Sequence, residues 1–272
     1  MHAASREALD ALRSDLDARI RGADNPVAAA AGAGAELFDV VELLDSDRAL
    51  RVAVADSSAT PERRSGILRE LLAGKVSDLT AGIVGEATAR QWSSARDLRS
   101  GLVELGRRAL LRAAEAEGRL DAVEDELFRL GHLLANEPQL EQLLADKTAT
   151  PEAKRGLLAS VLYGKVTPVT EALALQAVGR PERRPADDID SLSGLAASLR
   201  NRTVARVTSA TTLSEEQERT LADKLGGIYG ADMSIHTDID ESILGGLVIR
   251  VGDEVIDGSL STKLEKLRVG LG

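Results

Sequence analysis

One stretch of this chain repeats itself at a fixed spacing. With Glu36 laid on Glu126, an offset of 90 residues carries positions 36–80 onto 126–170 without a gap, and 19 of the 45 aligned pairs are identical by direct count. ELF falls on ELF, ATPE at 59–62 on ATPE at 149–152, and GKV at 74–76 on GKV at 164–166. Self-similarity at one period marks a repeated structural unit. Coincident Gly, Pro and Lys punctuation separates this pattern from the ordinary likeness of two Ala/Leu-rich helices. Whatever architecture the first copy adopts, the second must adopt too.

Each copy reads as short antiparallel helices. Leu37, Val40, Val41 and Leu44 follow the i, i+3, i+4, i+7 spacing of one helical face, and Leu127, Leu130 and Leu134 do so in the second copy. Thr60-Pro61-Glu62 and Thr150-Pro151-Glu152 each place a hydroxyl at an N-cap, a proline where no amide partner is lost, and a carboxylate near the positive end of the dipole. Gly74-Lys75 and Gly164-Lys165 supply the matching stops. A long uninterrupted segment at 94–117 occupies the register of the N-terminal helix shifted by the same offset, with Arg6 on Arg96, Leu12 on Leu102 and Ile20 on Leu110. It is expected to close the first bundle and open the second. The segment GRPERRPADD at 179–188 is expected to be a solvated loop, with a docking patch at its charged core as the other reading.

From Thr203 the period changes. TVARVTSA, DMSIHTDID and GLVIRV read as strands, with Met233, Ile235, Thr237 and Ile239 on one face of the second and Ser234, His236 and Asp238 on the other. Ser214 and Gln217 form a capping box for a helix with Leu221, Leu225 and Ile228 on its apolar face. Gly252-Asp253 suits a hairpin turn, and Asp257-Gly258 leads into a last helix carrying Leu260, Leu264, Leu267 and Leu271. The fold expected is mostly α: a first helical bundle at 1–93, a duplicated second bundle at 94–202, and a small α/β domain at 203–272.

Composition narrows the function. A formal net charge of -10 and only five aromatic residues argue against nucleic acid as a partner. The absence of cysteine excludes disulfides, thiol nucleophiles and thiolate metal sites. The N-terminal stretch lacks a basic segment followed by an apolar one, and no run of about 18 apolar residues occurs, so direct membrane insertion is not expected. His2, His132 and His236 make no metal spacing and read as terminal, helix-surface and strand-surface residues. Gly74-Lys75 lacks the earlier glycine and the following hydroxyl of a phosphate-binding loop, since Arg69 and Val76 stand there. No nucleophile elbow or dinucleotide fingerprint is present. The expectation is a protein with no catalytic residues, no cofactor and no metal.

The segment MSIHTDIDESILGGLVIRVGDEVIDGS resembles the C-terminal signature of the F-type ATP synthase delta subunit family, which includes the mitochondrial oligomycin-sensitivity-conferring protein. The match runs through Met233, Ile235, Ile239, Asp240, Ile243, Gly245, Gly246, Leu247, Ile249, Arg250, Gly252, Asp257 and Gly258. VTSATTLSEEQ upstream is similar to the family's strand and capped helix, and residues 120–202 are similar to its helical bundle. The duplication in front looks like the actinobacterial form. No b-type stalk segment stands ahead of Met1, so a free-standing subunit is expected.

The resemblance implies a non-catalytic peripheral-stalk subunit of a proton-translocating ATP synthase. On that reading it receives alpha subunit N-terminal helices in a bundle groove and engages the C-terminal helices of a b-type stalk subunit. It would sit at the cytoplasmic face of the bacterial plasma membrane, held there through the complex. Asp240, Gly245, Gly246, Arg250, Gly252, Asp257 and Gly258 would be structural signature residues. Leu12, Leu16 and Ile20 are candidate groove residues; filling the bundle's own core is the competing role. A helical-repeat adaptor unconnected with ATP synthase is the alternative that the duplicated bundles alone permit.

Overall fold

The computed structural model of the protein describes residues 2–199, 202–229, 232–240, 243, 245–251 and 254–259. It divides into two compact units, Met1–Leu192 and Ser193–Gly272. Eleven helices come first: α1 (Ala3–Arg21), α2 (Pro26–Ser46), α3 (Arg48–Ala53), α4 (Pro61–Leu72), α5 (Asp78–Ala89), α6 (Ala95–Ala116), α7 (Leu120–Asn136), α8 (Pro138–Ala145), α9 (Pro151–Leu162), α10 (Pro168–Gly179) and α11 (Pro185–Leu199). They are followed by β1 (Arg202–Ser209), α12 (Glu215–Tyr229), β2 (Asp232–Ile239), β3 (Leu247–Val251) and β4 (Glu254–Asp257).

The repeat is legible in the element boundaries. Shifted by the repeat offset, α4 and α5 land on the bounds of α9 and α10, and the start of α6 lands on the start of α11. Local chemistry repeats with them. Thr60 Oγ1 accepts from Arg63 N at 3.4 Å and Thr150 Oγ1 from Ala153 N at 3.2 Å. Gly74 and Gly164 take the left-handed conformation, at φ 69° and 68°. Glu36 accepts from the Ser77 N–H at 3.0 Å, tying α2 to the start of α5, and Glu126 accepts from the Thr167 N–H at 2.9 Å, tying α7 to the start of α10. At another aligned pair, Arg64 and Lys154 are both buried.

Helix α6 serves both copies. It packs against α1, α2 and α5 on one side of the repeat and against α7 and α10 on the other. Its Leu98, Leu102 and Leu105 are fully buried in one cluster with Leu37, Val41 and Leu44 of α2. Paired glycines bring α2 and α6 close: a Cβ on Gly34 would lie 2.7 Å from Leu110, and one on Gly106 would lie 2.8 Å from the Phe38 ring.

The same cluster holds Leu12 and Leu16 at 0% exposure and Ile20 at 3%. Of the two roles weighed for these residues, partner groove and bundle core, their burial is that of the core: α1 turns that stripe onto the other helices of the first bundle. The 179–188 segment is also shorter as a loop than expected. Gly179 ends α10 and Pro185 opens α11, where Pro is favoured in the first turn, leaving 180–184.

The second unit is a four-stranded sheet in the order β2-β1-β3-β4. β1 and β2 are parallel, joined through α12, and β1–β3 and β3–β4 are antiparallel. Ala205, Val207, Leu225, Met233, Ile249 and Val251 form its buried core. The capping box forms, with the Ser214 N–H donating to Gln217 Oε1 at 2.8 Å and Gln217 N–H to Ser214 Oγ at 3.3 Å. Two expectations fail here. Ile228 is 69% exposed although it shares the predicted apolar face, and His236 is 7% exposed although it was read as a surface residue. The sheet therefore buries part of both faces around β2. The Gly252-Asp253 turn and the helix carrying Leu260 to Leu271 lie outside the described residues. Among the described residues no helix is long and apolar enough to cross a membrane.

Candidate partner-docking surfaces

Among the described residues no group of three or more His, Asp or Glu side chains could hold a metal ion. His132 lies exposed on α7, its ring stacked on Phe128 with centroids 6.5 Å apart and its Nε2 2.9 Å from the Asn136 amide. His236 is far from it in sequence and buried in the other unit.

The C-terminal signature residues build a corner of the sheet. Gly245 and Gly246 have φ of 127° and 84°, a region costly for any side chain. A Cβ on Gly246 would lie 2.5 Å from the Gly258 carbonyl oxygen, so glycine is required twice over. The Gly258 N–H donates to Leu247 O at 2.8 Å, and the Ser259 N–H to Asp257 Oδ1 at 2.9 Å, which closes the chain back on the start of β3. The Asp240 N–H donates to Ser209 O at 2.8 Å at the same sheet end. Arg250 is exposed in mid-β3, opposite Arg206 and Val255. Gly252 lies outside the described residues. Beside this corner is a cleft of about 520 Å³ between α12 and β3, with Leu213, Leu221 and Leu247 as apolar wall and Glu216 and Lys224 as one charge of each sign.

Within the helical unit, polar side chains close the seams. Arg19 of α1 donates to Glu86 of α5 at 2.5 Å and to Asp15 at 2.8 Å. Asp17 accepts from both Arg108 (2.6 Å) and Arg112 (2.5 Å) of α6. Burial opposes the Asp17 charge, but the hydrogen bonds and charges of the two arginines outweigh it and hold this carboxyl below its ordinary value. The copies meet at a third seam: Arg180 reaches Glu42 at 2.7 Å and Asp45 at 3.5 Å, Arg155 reaches Glu42 at 3.6 Å, and Arg99 bridges Asp45 and Glu182. Asp45 is likewise desolvated, and Arg99 in first place keeps its carboxyl low.

Arg180 belongs to the segment expected to be solvated, yet its side chain is only 9% exposed, so part of that loop is a docking element within the chain. The sequence carries only part of a signal for this contact. Glu42, Asp45 and Arg180 answer to His132, Ala135 and Arg90 in the repeat alignment. The two carboxylates stand where the copies stop matching, whereas Arg180 repeats Arg90, so the mismatch marks only one side of the seam.

The family model and the curated relatives that match this chain name one family. The model for the ATP synthase delta (OSCP) subunit matches residues 108–271. A Corynebacterium efficiens protein, ATP synthase subunit delta, is 60% identical over 98% of this chain and 97% of its own length. The Corynebacterium diphtheriae protein of the same name is 58% identical over the whole of both chains. Among solved structures, a chain of the Toxoplasma gondii mitochondrial ATP synthase hexamer covers 61% of this chain and 94% of its own length at 19% identity, with a TM-score of 0.36.

Proposed function

The chain belongs to the ATP synthase delta (OSCP) subunit family, a non-catalytic peripheral-stalk component, and from that premise we propose how it links the parts of the complex. It joins the catalytic alpha/beta head to the b-type stalk and resists the torque of the rotor. The α6–α11 bundle takes the apolar face of an alpha subunit N-terminal helix, and the α/β unit engages the C-terminal helices of the b-type subunit. The complex holds the chain at the cytoplasmic face of the plasma membrane. Recognition of this kind sets an amphipathic helix into an apolar groove. Two such contacts on one body raise the grip by roughly 10²- to 10⁴-fold over either alone.

The observation carrying this reading is the extent of the family match. It begins at residue 108, inside α6, so it takes in α7 to α11 and the α/β unit and leaves α1 to α5 outside. The apolar stripe of α1 is consumed in its own core, which leaves the second bundle as the better acceptor. We expect membranes from a strain lacking this gene to lose ATP-driven proton pumping and to regain it when the purified full-length chain is added back. An enzyme that assembles and stays coupled without the chain would end this reading.

A further inference from the structure

Set side by side, the two copies differ in charge at one seam. In the first, the α1–α5 seam holds its own counter-charge: Arg19 donates to Glu86 at 2.5 Å. The position aligned with Glu86 in the second copy is Gln176, on α10. There Arg107 of α6 donates through Nε to the neutral Gln176 Oε1 at 2.9 Å. Among the described residues no carboxylate lies within 4.0 Å of the Arg107 guanidinium; Glu182, Asp188 and Glu104 act on it only from further away. Gln176 is 5% exposed and its Nε2 has no hydrogen-bond partner. Arg107 itself is half-buried and keeps contact with solvent. A guanidinium carries five donors, and taking it out of water without an ionised partner is costly. Burial pushes the Arg107 guanidinium below its ordinary value.

We propose that Arg107 is the anchor for an acidic side chain of the helix that docks on the second bundle, with Gln176 as a positioning residue that fixes the guanidinium through Nε. The occupant is an amphipathic helix bearing a carboxylate. Charge complementarity selects it, because the seam offers a cation with no ionised partner where the aligned seam supplies one. The first bundle, neutralised by its own Glu86, lacks this feature, so the two copies are not interchangeable as acceptors. This inference rests on the helix-docking reading above and adds the residue that sets its specificity.

The test uses the full-length chain and a synthetic peptide of the alpha subunit N-terminal segment, with calorimetry as readout. A second peptide has its Asp and Glu replaced by Asn and Gln. Arg107→Gln is expected to weaken the first peptide about 10- to 100-fold, as loss of a charge-assisted hydrogen bond does. Neutralising the peptide is expected to cost the wild-type chain a similar factor, and the two losses should not add. Arg107→Lys keeps the charge without the Nε bond and is expected to fall between. Arg19→Gln, in the other bundle, should leave affinity unchanged. Removing an uncompensated cation should leave the melting temperature of the Arg107→Gln chain within a few degrees of wild type, which separates lost recognition from misfolding. The proposal is overturned if either Arg107 substitution binds like wild type, or if both peptides lose the same factor. A peptide that does not bind the wild-type chain at all overturns the helix-docking reading, and the anchor with it.

Discussion

The Arg180 guanidinium, in the loop after α10, lies 2.7 Å from the Glu42 carboxylate of α2 and ties the second copy to the first. The partners are unequal. Arg180 is 9% exposed at its side chain and Glu42 54%, so most of the desolvation falls on the arginine. Burial pushes the Arg180 guanidinium below its ordinary value, and Glu42 and Asp45 oppose that only in part. Arg180→Ala is expected to destabilise the chain by about 1–3 kcal/mol, through the lost packing of its buried side chain and the lost pairing with Glu42, while Asp45 keeps its two hydrogen bonds from Arg99 at 2.9 Å. Glu42→Ala should cost under about 1 kcal/mol, as exposed ion pairs do. Urea denaturation of the two variants checks the order; equal costs would contradict the assignment of the burden to Arg180.

Acid should loosen the helical unit from its polar seams. Asp17, Asp45 and Glu36 all have carboxyls held below their ordinary values. A depressed folded value means stability that is present above the unfolded value, about 3.9 for Asp and 4.3 for Glu. It is lost as pH falls through the folded values. Unfolding free energy should therefore be flat near neutrality and fall below about pH 4. Asp17→Asn is expected to cost about 2–4 kcal/mol at pH 7, since it leaves Arg108 and Arg112 without their shared carboxylate. The gap to wild type should shrink at pH 3, and a gap independent of pH would contradict this.

Much of this fold could be read before any coordinates. The caps at Thr60 and Thr150, the glycine stops and the helix at 94–117 rest on local backbone chemistry, which sequence displays directly. Two kinds of feature were hidden. Leu12 and Leu16 are apolar in either role, and only the packing of α1 decides between groove and core. The Arg180–Glu42 pair joins residues 138 apart, and no periodicity encodes such a contact. His236 misled for a third reason: alternation assumes one wet face, whereas this strand is covered on both sides at that position.

Glycine requirements can be ranked. Gly118 has φ 70° with nothing within 4 Å of an added Cβ, so Gly118→Ala should cost about 1 kcal/mol from backbone strain alone. Gly246→Ala adds to its φ of 84° a collision with the Gly258 carbonyl, and backbone cannot swing aside as a side chain does. A cost of about 3 kcal/mol or more is expected, confined to the α/β unit. Hydrogen exchange resolves the two units: protection should fall in β1 and β3 and persist in α2 and α6. Equal costs for the two glycines would contradict the corner geometry.

A helix that belongs to two bundles cannot leave one without disturbing the other, and Trp92 makes this measurable. It is the chain's sole tryptophan; its indole N–H donates to Ala87 O at 2.7 Å, and its ring lies over Gly101 of α6, within the first bundle. Leu173 is fully buried in α10, in the second copy. Leu173→Ala should cost about 2–5 kcal/mol, as core truncations of leucine do. If α6 couples the bundles, the loss appears in Trp92 although the substitution lies in the other copy. The denaturant midpoint followed by Trp92 fluorescence should then fall together with the midpoint followed by circular dichroism. Independent bundles would instead give a Trp92 midpoint equal to wild type and a circular dichroism curve in two steps. The burial of Leu98, Leu102 and Leu105 on one side, with α7 and α10 packed on the other, argues for the single transition. That coupling also suits a stator: a load applied to the second bundle passes along a continuous helix rather than across a hinge.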